Sequence, residues 1–128
     1  MRVLRRLTAI ALVVVGSGLV AAAREPAAPA APVRTELLVL EVRDCTICAL
    51  VRLKVQPLYE QSAHARQVPM RFVDITHMDE RRLGLREGVR TVPTIVLMRD
   101  GEEVDRITGY LAPDDTLRLL SHLIGSLD

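Results

Sequence analysis

The chain contains two cysteines, in the motif Cys45-Thr46-Ile47-Cys48. The motif comes where an apolar run gives way to a helical pattern, so Cys45 would meet unpaired backbone amides and the positive end of a helix. That environment favours a thiolate over a thiol. Residues three apart on a helix are neighbours, which brings the α carbons within the range of about 4.4 to 6.8 Å that a disulfide allows. The spacing predicts thiol–disulfide exchange, in which Cys45 attacks and Cys48 resolves the mixed disulfide.

Two other roles for the cysteine pair are a structural disulfide and a metal site. A disulfide that encloses two residues removes little chain entropy and would stabilise a fold weakly. Cys-x-x-Cys is half of many zinc and copper sites, but the sequence has no second cysteine pair, and His64, His77 and His122 lack ligand spacing. We therefore predict no metal and no cofactor besides the cysteine pair. The alternative is a metal carrier or a non-catalytic binding module.

Charged residues flank the motif on its N-terminal side. Asp44 would disfavour a second negative charge and raise the pKa of Cys45, while Arg43 would partly offset it. Glu41 lies four residues before Cys45, so this carboxylate is a candidate for moving a proton to or from Cys48. A solvated strand-end carboxylate is the other interpretation of Glu41.

The residues around the motif predict a strand followed by a helix. Residues 35–42 contain a continuous apolar run, which is typical of a central strand buried on both faces. A helix is predicted over residues 45–65, with a kink at Pro57 because proline removes one backbone hydrogen bond. Val51, Val55 and Leu58 are expected on its buried face.

The rest of the chain predicts further strands and helices. A second strand is predicted over residues 70–75, and a short charged helix over residues 78–87 with Gly88 as its stop. Strand-like runs at 94–98 and 103–108 flank an Asp-Gly pair, which predicts a hairpin. Pro113 can begin a last helix whose apolar stripe is Leu117, Leu120 and Ile124. The pattern favours an α/β fold: a small mixed four-stranded sheet with helices on both faces.

Composition limits the classes of function. The chain has 128 residues and is 49% hydrophobic, yet it has only two tyrosines and one phenylalanine. Its core must therefore be aliphatic, and base-stacking surfaces are excluded. Without the three arginines of the first six residues, the charge balance is 14 − 16 = −2 instead of 17 − 16 = +1. No nucleic-acid partner is expected.

The chain begins with a pattern typical of export. Residues 1–23 carry arginines first, then an uncharged stretch that ends in three alanines, which predicts a cleaved signal peptide. The alternative is a retained membrane anchor, although the stretch only reaches the lower length limit of about 17 residues for a bilayer. Residues 24–34 are rich in alanine and proline and predict an extended linker. One domain is expected over residues 35–128.

With these features, residues 35–128 resemble the thioredoxin superfamily. The resemblance rests on the Cys45-x-x-Cys48 motif after a strand, the Val92-Pro93 pair before another, and the hairpin that reaches Gly109. It implies a thioredoxin-like fold and a thiol–disulfide oxidoreductase that acts on protein thiols and disulfides. It also implies a cis peptide bond at Pro93 and a docking groove formed by Val92, Pro93 and Gly109.

Among exported members, the chain is similar to the SoxS-type thioredoxins of sulfur-oxidation systems. It shares a short Cys-x-x-Cys domain with Pro57 nine residues after Cys48. It departs from thioredoxin itself at Asp44, where the family has tryptophan, and at Thr46-Ile47, which replaces Gly-Pro. The likeness implies a periplasmic reductant that keeps a partner's cysteine free of adducts and is recharged by a membrane electron donor. A monomer is expected. A disulfide oxidase or isomerase is the alternative direction of the chemistry.

Overall fold

A computed structural model of the chain describes residues 32–127. The predicted signal peptide and most of the predicted linker lie outside the described residues. The structure contains a sheet of four strands, which are β1 (Thr35–Glu41), β2 (Met70–Asp74), β3 (Thr94–Arg99) and β4 (Glu102–Thr108). Their order across the sheet is β2-β1-β3-β4. β1 runs parallel to β2 and antiparallel to β3, and β3 runs antiparallel to β4, which confirms the predicted mixed sheet.

The central strand β1 is buried on both faces, as its apolar run predicts. Leu37 and Val39 contact the core on one side, and Leu38 and Leu40 contact the core on the other. Successive strand residues point to opposite faces of a sheet, so the uninterrupted run supplies both cores at once. This burial fixes the strand whose C-terminal end leads into the cysteine motif.

Two kinds of structure cover the sheet. The face of Leu37 and Val39 packs against helices, including the C-terminal helix through Leu120. The opposite face packs against the segment between β2 and β3, whose contacts include Leu83 and Val89. The α/β class is confirmed, but the second face is covered by loops and a short 3-10 turn where a regular helix was predicted.

The first helical stretch differs in detail from the predicted helix over 45–65. It consists of α1 (Thr46–Leu50), a π-helical turn (Val51–Val55) and α2 (Gln56–Glu60), so it ends earlier than predicted. Pro57 explains the π turn, because it has no backbone N–H to donate to the residue four positions earlier. The wider turn accommodates the proline within a continuous helical stretch.

The π turn also moves the buried face of this stretch. Val51 and Val55 are buried as predicted, but Leu58 is 42% exposed and Tyr59 is 2% exposed in its place. A π turn uses more residues per turn than an α-helix, which advances the core position by one residue. The prediction of Leu58 as a core residue is therefore wrong. Tyr59 donates a hydrogen bond to the Val68 carbonyl at 2.6 Å.

The predicted helix over 78–87 is also wrong. Only a 3-10 turn, Glu80–Leu83, forms there, and it ends at Gly84 in the left-handed conformation with φ of 70°. A Cβ atom at position 84 would lie 1.9 Å from the carbonyl oxygen of Gly101. Close approach of the β3–β4 turn thus requires a glycine at 84, and the helical path stops there instead of at Gly88.

The predicted hairpin and the predicted C-terminal helix are both confirmed. β3 and β4 are joined by Asp100 and Gly101, which both have positive φ, at 53° and 84°, as expected for a two-residue hairpin. The last helix, α3, spans Pro113–Gly125 with the proline in its first turn. Leu120 is its buried anchor at 1% exposure.

Candidate functional site

Cys45 lies at the point where β1 has ended and α1 begins. It is the N-cap residue of α1, with extended backbone angles, and its Sγ accepts a hydrogen bond from the Cys48 backbone N–H at 3.1 Å. The sulfur therefore replaces the side-chain oxygen that usually caps a helix. The prediction that this sulfur meets a free backbone amide is confirmed.

Cys45 and Cys48 form a disulfide, with their α carbons 5.2 Å apart. The two sulfurs differ in accessibility, because Cys45 is half-buried and Cys48 is 1% exposed. An incoming group can therefore reach Cys45, while Cys48 lies in the protein interior. The two sulfurs thus differ in accessibility, which suits a mechanism in which the accessible Cys45 attacks and the buried Cys48 resolves the mixed disulfide.

An open cavity of about 650 Å³ lies beside Cys45. Charged residues from four segments line it: Glu41 at the end of β1, Arg43 and Asp44 in the turn, Arg52 on the helical stretch and Asp74 at the end of β2. Among the described residues, Cys45 lines this cavity and Cys48 does not. The structure thus brings Glu41 to the same cavity as Cys45.

Arg52 is a site residue that the sequence analysis missed. Its guanidinium forms an ion pair with the Glu41 carboxylate and lies 3.9 Å from the centroid of the Phe72 ring. Arg52 is seven residues after Cys45, or about two helical turns, so both lie on one side of the helix. That spacing was the available signal, but the contact with Glu41 depends on how the helix packs on the sheet.

The turn that carries Cys45 is tied to the loop after β2 through Thr76. The Arg43 backbone N–H donates to Thr76 Oγ1 at 2.8 Å, and the Thr76 backbone N–H donates to Asp74 Oδ1 at 2.8 Å. Hydrogen bonds from Thr76, first from its side chain and then from its backbone, lower the pKa of Asp74 below its ordinary value. Asp74 therefore contributes a negative charge to the rim of the cavity near neutral pH.

The predicted docking residues lie at the same edge of the sheet as the cysteines. β1 ends and β3 begins at this edge, where Leu40 pairs with Thr94. The peptide bond between Val92 and Pro93 is cis, and the Gly109 backbone N–H donates to the Pro93 carbonyl at 2.8 Å. Pro93 is buried and Val92 is half-buried.

Within residues 32–127, no group of three or more His, Cys, Asp or Glu side chains could hold a metal ion. In the same range, no helix combines the length and the apolar character that crossing a bilayer requires.

Comparisons with known proteins agree with this geometry. The family model described as a thioredoxin-like domain matches residues 28–124. A curated thioredoxin from Chlamydia caviae is 44% identical over 34 residues, which are 27% of this chain and 33% of that protein. The aligned segment thus spans about a third of the curated relative's length.

Solved structures extend the likeness over most of the described chain. The periplasmic thioredoxin SoxS from Paracoccus pantotrophus, in its reduced form, is 28% identical with a TM-score of 0.67, and the match covers 74% of this chain and all of that one. A variant thioredoxin from Halobacterium salinarum is 25% identical with a TM-score of 0.53, covering 70% of this chain and 74% of that one. The fold and the disulfide between Cys45 and Cys48 support thiol–disulfide oxidoreductase chemistry.

Proposed function

Because the chain belongs to the thioredoxin-like family, we propose that it is a periplasmic thiol–disulfide oxidoreductase that reduces disulfides or thiol adducts on partner proteins. The observation that carries this proposal is the unequal environment of its two cysteines. Cys45 caps a helix and borders an open cavity, while Cys48 is buried one helical turn further on. This arrangement supplies one accessible nucleophile and one internal resolving thiol.

The reaction begins with the reduced pair. The Cys45 thiolate attacks one sulfur of a partner disulfide, a bond forms between Cys45 and that sulfur, and the other partner sulfur leaves as a thiolate that takes up a proton. Cys48 then loses its proton and attacks Cys45. This step forms the bond between Cys45 and Cys48 and releases the second partner sulfur, so two electrons pass to the partner.

Two features of the site support this sequence of steps. The Cys48 N–H that donates to Cys45 Sγ stabilises negative charge on that sulfur when it is a thiolate. Glu41 is the proposed proton carrier for the pair, because its carboxylate lines the cavity beside Cys45. In this proposal the carboxylate moves a proton to or from Cys48, which lies three residues after Cys45 on the same helix.

Val92, Pro93 and Gly109 are the proposed docking residues. The hydrogen bond from Gly109 to the Pro93 carbonyl fixes the segment after β4 beside the segment before β3. In this arrangement the half-buried Val92 offers its backbone to an extended stretch of the partner. A short extended segment bound by backbone hydrogen bonds places its disulfide without demanding a particular side-chain sequence.

The periplasmic location and a role in sulfur oxidation are part of the same proposal. Residues 1–23 carry the pattern of a cleaved signal peptide, and a SoxS thioredoxin described as periplasmic matches the fold. Outside the cytoplasm, thiols are readily oxidised, so a reductase of this kind needs electrons from a membrane donor. Its partner would be a carrier protein of sulfur oxidation whose cysteine it keeps free of adducts.

The test uses a Cys48→Ser variant of the full chain, mixed with periplasmic extract and with insulin as a model disulfide. We expect this variant to accumulate covalent adducts at Cys45 that dithiothreitol releases, because the resolving thiol is missing. Cys45→Ser is the matched control and should trap none. Wild-type protein should reduce insulin when a reductant is supplied, and the absence of both adducts and insulin reduction would contradict the proposal.

The reduction potential of the Cys45–Cys48 pair, measured in a glutathione redox buffer, shows whether the protein reduces or oxidises its partners. A reductase should fall near the value of about −270 mV that thioredoxin shows, and an oxidase near the −120 mV that DsbA shows. A measured potential of about −120 mV would contradict the proposed reductase and favour a disulfide oxidase or isomerase instead.

A further inference from the structure

The Arg52 guanidinium lies between a carboxylate and an aromatic ring. It pairs with Glu41, and its central carbon is 3.9 Å from the centroid of Phe72. The Glu41 side chain is 15% exposed and that of Arg52 is 48% exposed. The pair is therefore partly shielded from water on the Glu41 side, where its interaction is screened less than that of a fully solvated pair.

Both partners are held in place by the elements that carry them. Glu41 is the last residue of β1 and shares its parity with Leu37 and Val39, so it lies on the sheet face that packs against the helices. Arg52 is in the π turn of the helical stretch. The pair joins the strand that ends before the cysteine motif to the helix that begins at it.

The charge around Cys45 is closely balanced. The charged groups that line its cavity are Glu41, Asp44 and Asp74, which are negative, and Arg43 and Arg52, which are positive. Two charges of each sign cancel and one negative charge is left over. Because Cys45 borders the same cavity, removing Arg52 makes the charge near its sulfur more negative, and removing Glu41 makes it less negative.

We propose that Arg52 is a positioning residue, which holds the Glu41 carboxylate in place and neutralises it, and so sets how readily Cys45 ionises. This inference rests on the proposed function, since it matters only if Cys45 is the attacking thiol. Arg52 acts through Glu41 and through its own charge. Phe72 supports the arrangement by binding the face of the guanidinium.

The experiment measures the rate at which iodoacetamide alkylates Cys45 in the reduced full chain from about pH 5 to pH 10, with mass spectrometry to separate Cys45 from Cys48. Arg52→Met removes the positive charge and should move the midpoint of the rate profile upward by about half a unit. Glu41→Gln leaves the Arg52 charge unpaired and should move the midpoint downward by a similar amount. Arg52→Lys keeps the charge and should lie closest to wild type.

The matched control is Arg71→Met. Arg71 also forms an ion pair with a glutamate of β1, Glu36, at 3.1 Å. That pair lies five residues from Glu41, or roughly 17 Å along the strand, and on the opposite face of the sheet. Its loss should leave the midpoint unchanged.

Opposite shifts for Arg52→Met and Glu41→Gln support the proposal, because a general loss of structure would move both variants the same way. Unchanged midpoints, shifts of the same sign, or an equal shift in Arg71→Met overturn it. If Arg52→Met fails to fold, Glu41→Gln compared with Arg52→Lys still decides the question. Alkylation needs no partner protein, so a failure here is distinct from a failure to reduce insulin.

Discussion

Among the ion pairs of the described residues, Glu103–Arg106 and Glu41–Arg52 join the same chemical groups in different surroundings. Glu103 and Arg106 of β4 have side chains that are 3% and 14% exposed, and Glu103 also accepts the Arg86 backbone N–H at 2.8 Å. Glu41 and Arg52 are 15% and 48% exposed and border the cavity beside Cys45. One pair is enclosed by protein, and the other faces the space that a partner would occupy.

The difference shows how surroundings decide what a charge pair contributes. The Glu103–Arg106 pair links β4 to the segment that covers the second face of the sheet, since Arg106 also donates to the Glu87 carbonyl at 3.0 Å. Breaking it leaves a charge inside the protein, which is costly. Breaking the Glu41–Arg52 pair leaves a charge at the wall of the open cavity, so the main expected consequence is a change in how readily Cys45 ionises.

The largest expected effect tests the enclosed pair. Arg106→Met leaves the Glu103 carboxylate buried without its partner and should lower the free energy of unfolding by about 3 kcal/mol. Urea denaturation of the oxidised protein measures this. Arg118→Met, which removes an exposed pair with Asp115, is the control, and a loss no larger than that of the control would contradict the assignment.

The next effect concerns acid stability. Hydrogen bonds from Arg106, and then that from the Arg86 backbone, hold the pKa of Glu103 below its ordinary value of 4.5. A carboxylate with a lowered pKa in the folded state stabilises the protein above the unfolded value and loses that contribution as pH falls through the folded value. Wild-type protein should therefore lose more stability than Glu103→Gln between about pH 6 and pH 3. The free energy of unfolding, measured by urea titration at several pH values, tests this prediction. An equal decrease in both proteins across this range would contradict it.

The smallest expected effect tests the open pair. Arg52→Met should change the free energy of unfolding by about 0.5 kcal/mol, because partly exposed ion pairs and cation–π contacts are weak. The same urea titrations measure it beside Arg106→Met. A loss as large as that of Arg106→Met would show that the two pairs have the same structural role, and the comparison would fail.

The strands and the cysteine site could be predicted from the sequence because their signals are local. The apolar run in β1, the Asp100-Gly101 turn and the position of Cys45 before a helix each depend on neighbouring residues. The predicted site residues Glu41 and Pro93 lie at one sheet edge because they directly end or precede strands. Their catalytic and docking roles remain predictions.

Two of the errors arose where distant residues decide the outcome, and the third arose at Pro57, where a kink was predicted and a π turn forms. Gly84 ends its turn because the Gly101 carbonyl approaches it, and no local pattern shows that approach. Tyr59 replaces Leu58 in the core because the π turn near Pro57 shifts the helix phase. Arg52 was missed for a related reason, since its partner is on another element and is defined only by packing.

The path of the chain into β1 has a practical consequence. The Arg34 backbone N–H donates to Asp100 Oδ1 at 2.9 Å, so β1 starts beside the hairpin turn, and after seven residues it ends four positions before Cys45. A strand of that length spans roughly 20 Å. A bead, dye or affinity handle attached just upstream of Arg34 would therefore lie at the opposite end of β1 from Cys45. The Cys45 sulfur would stay accessible to large protein partners.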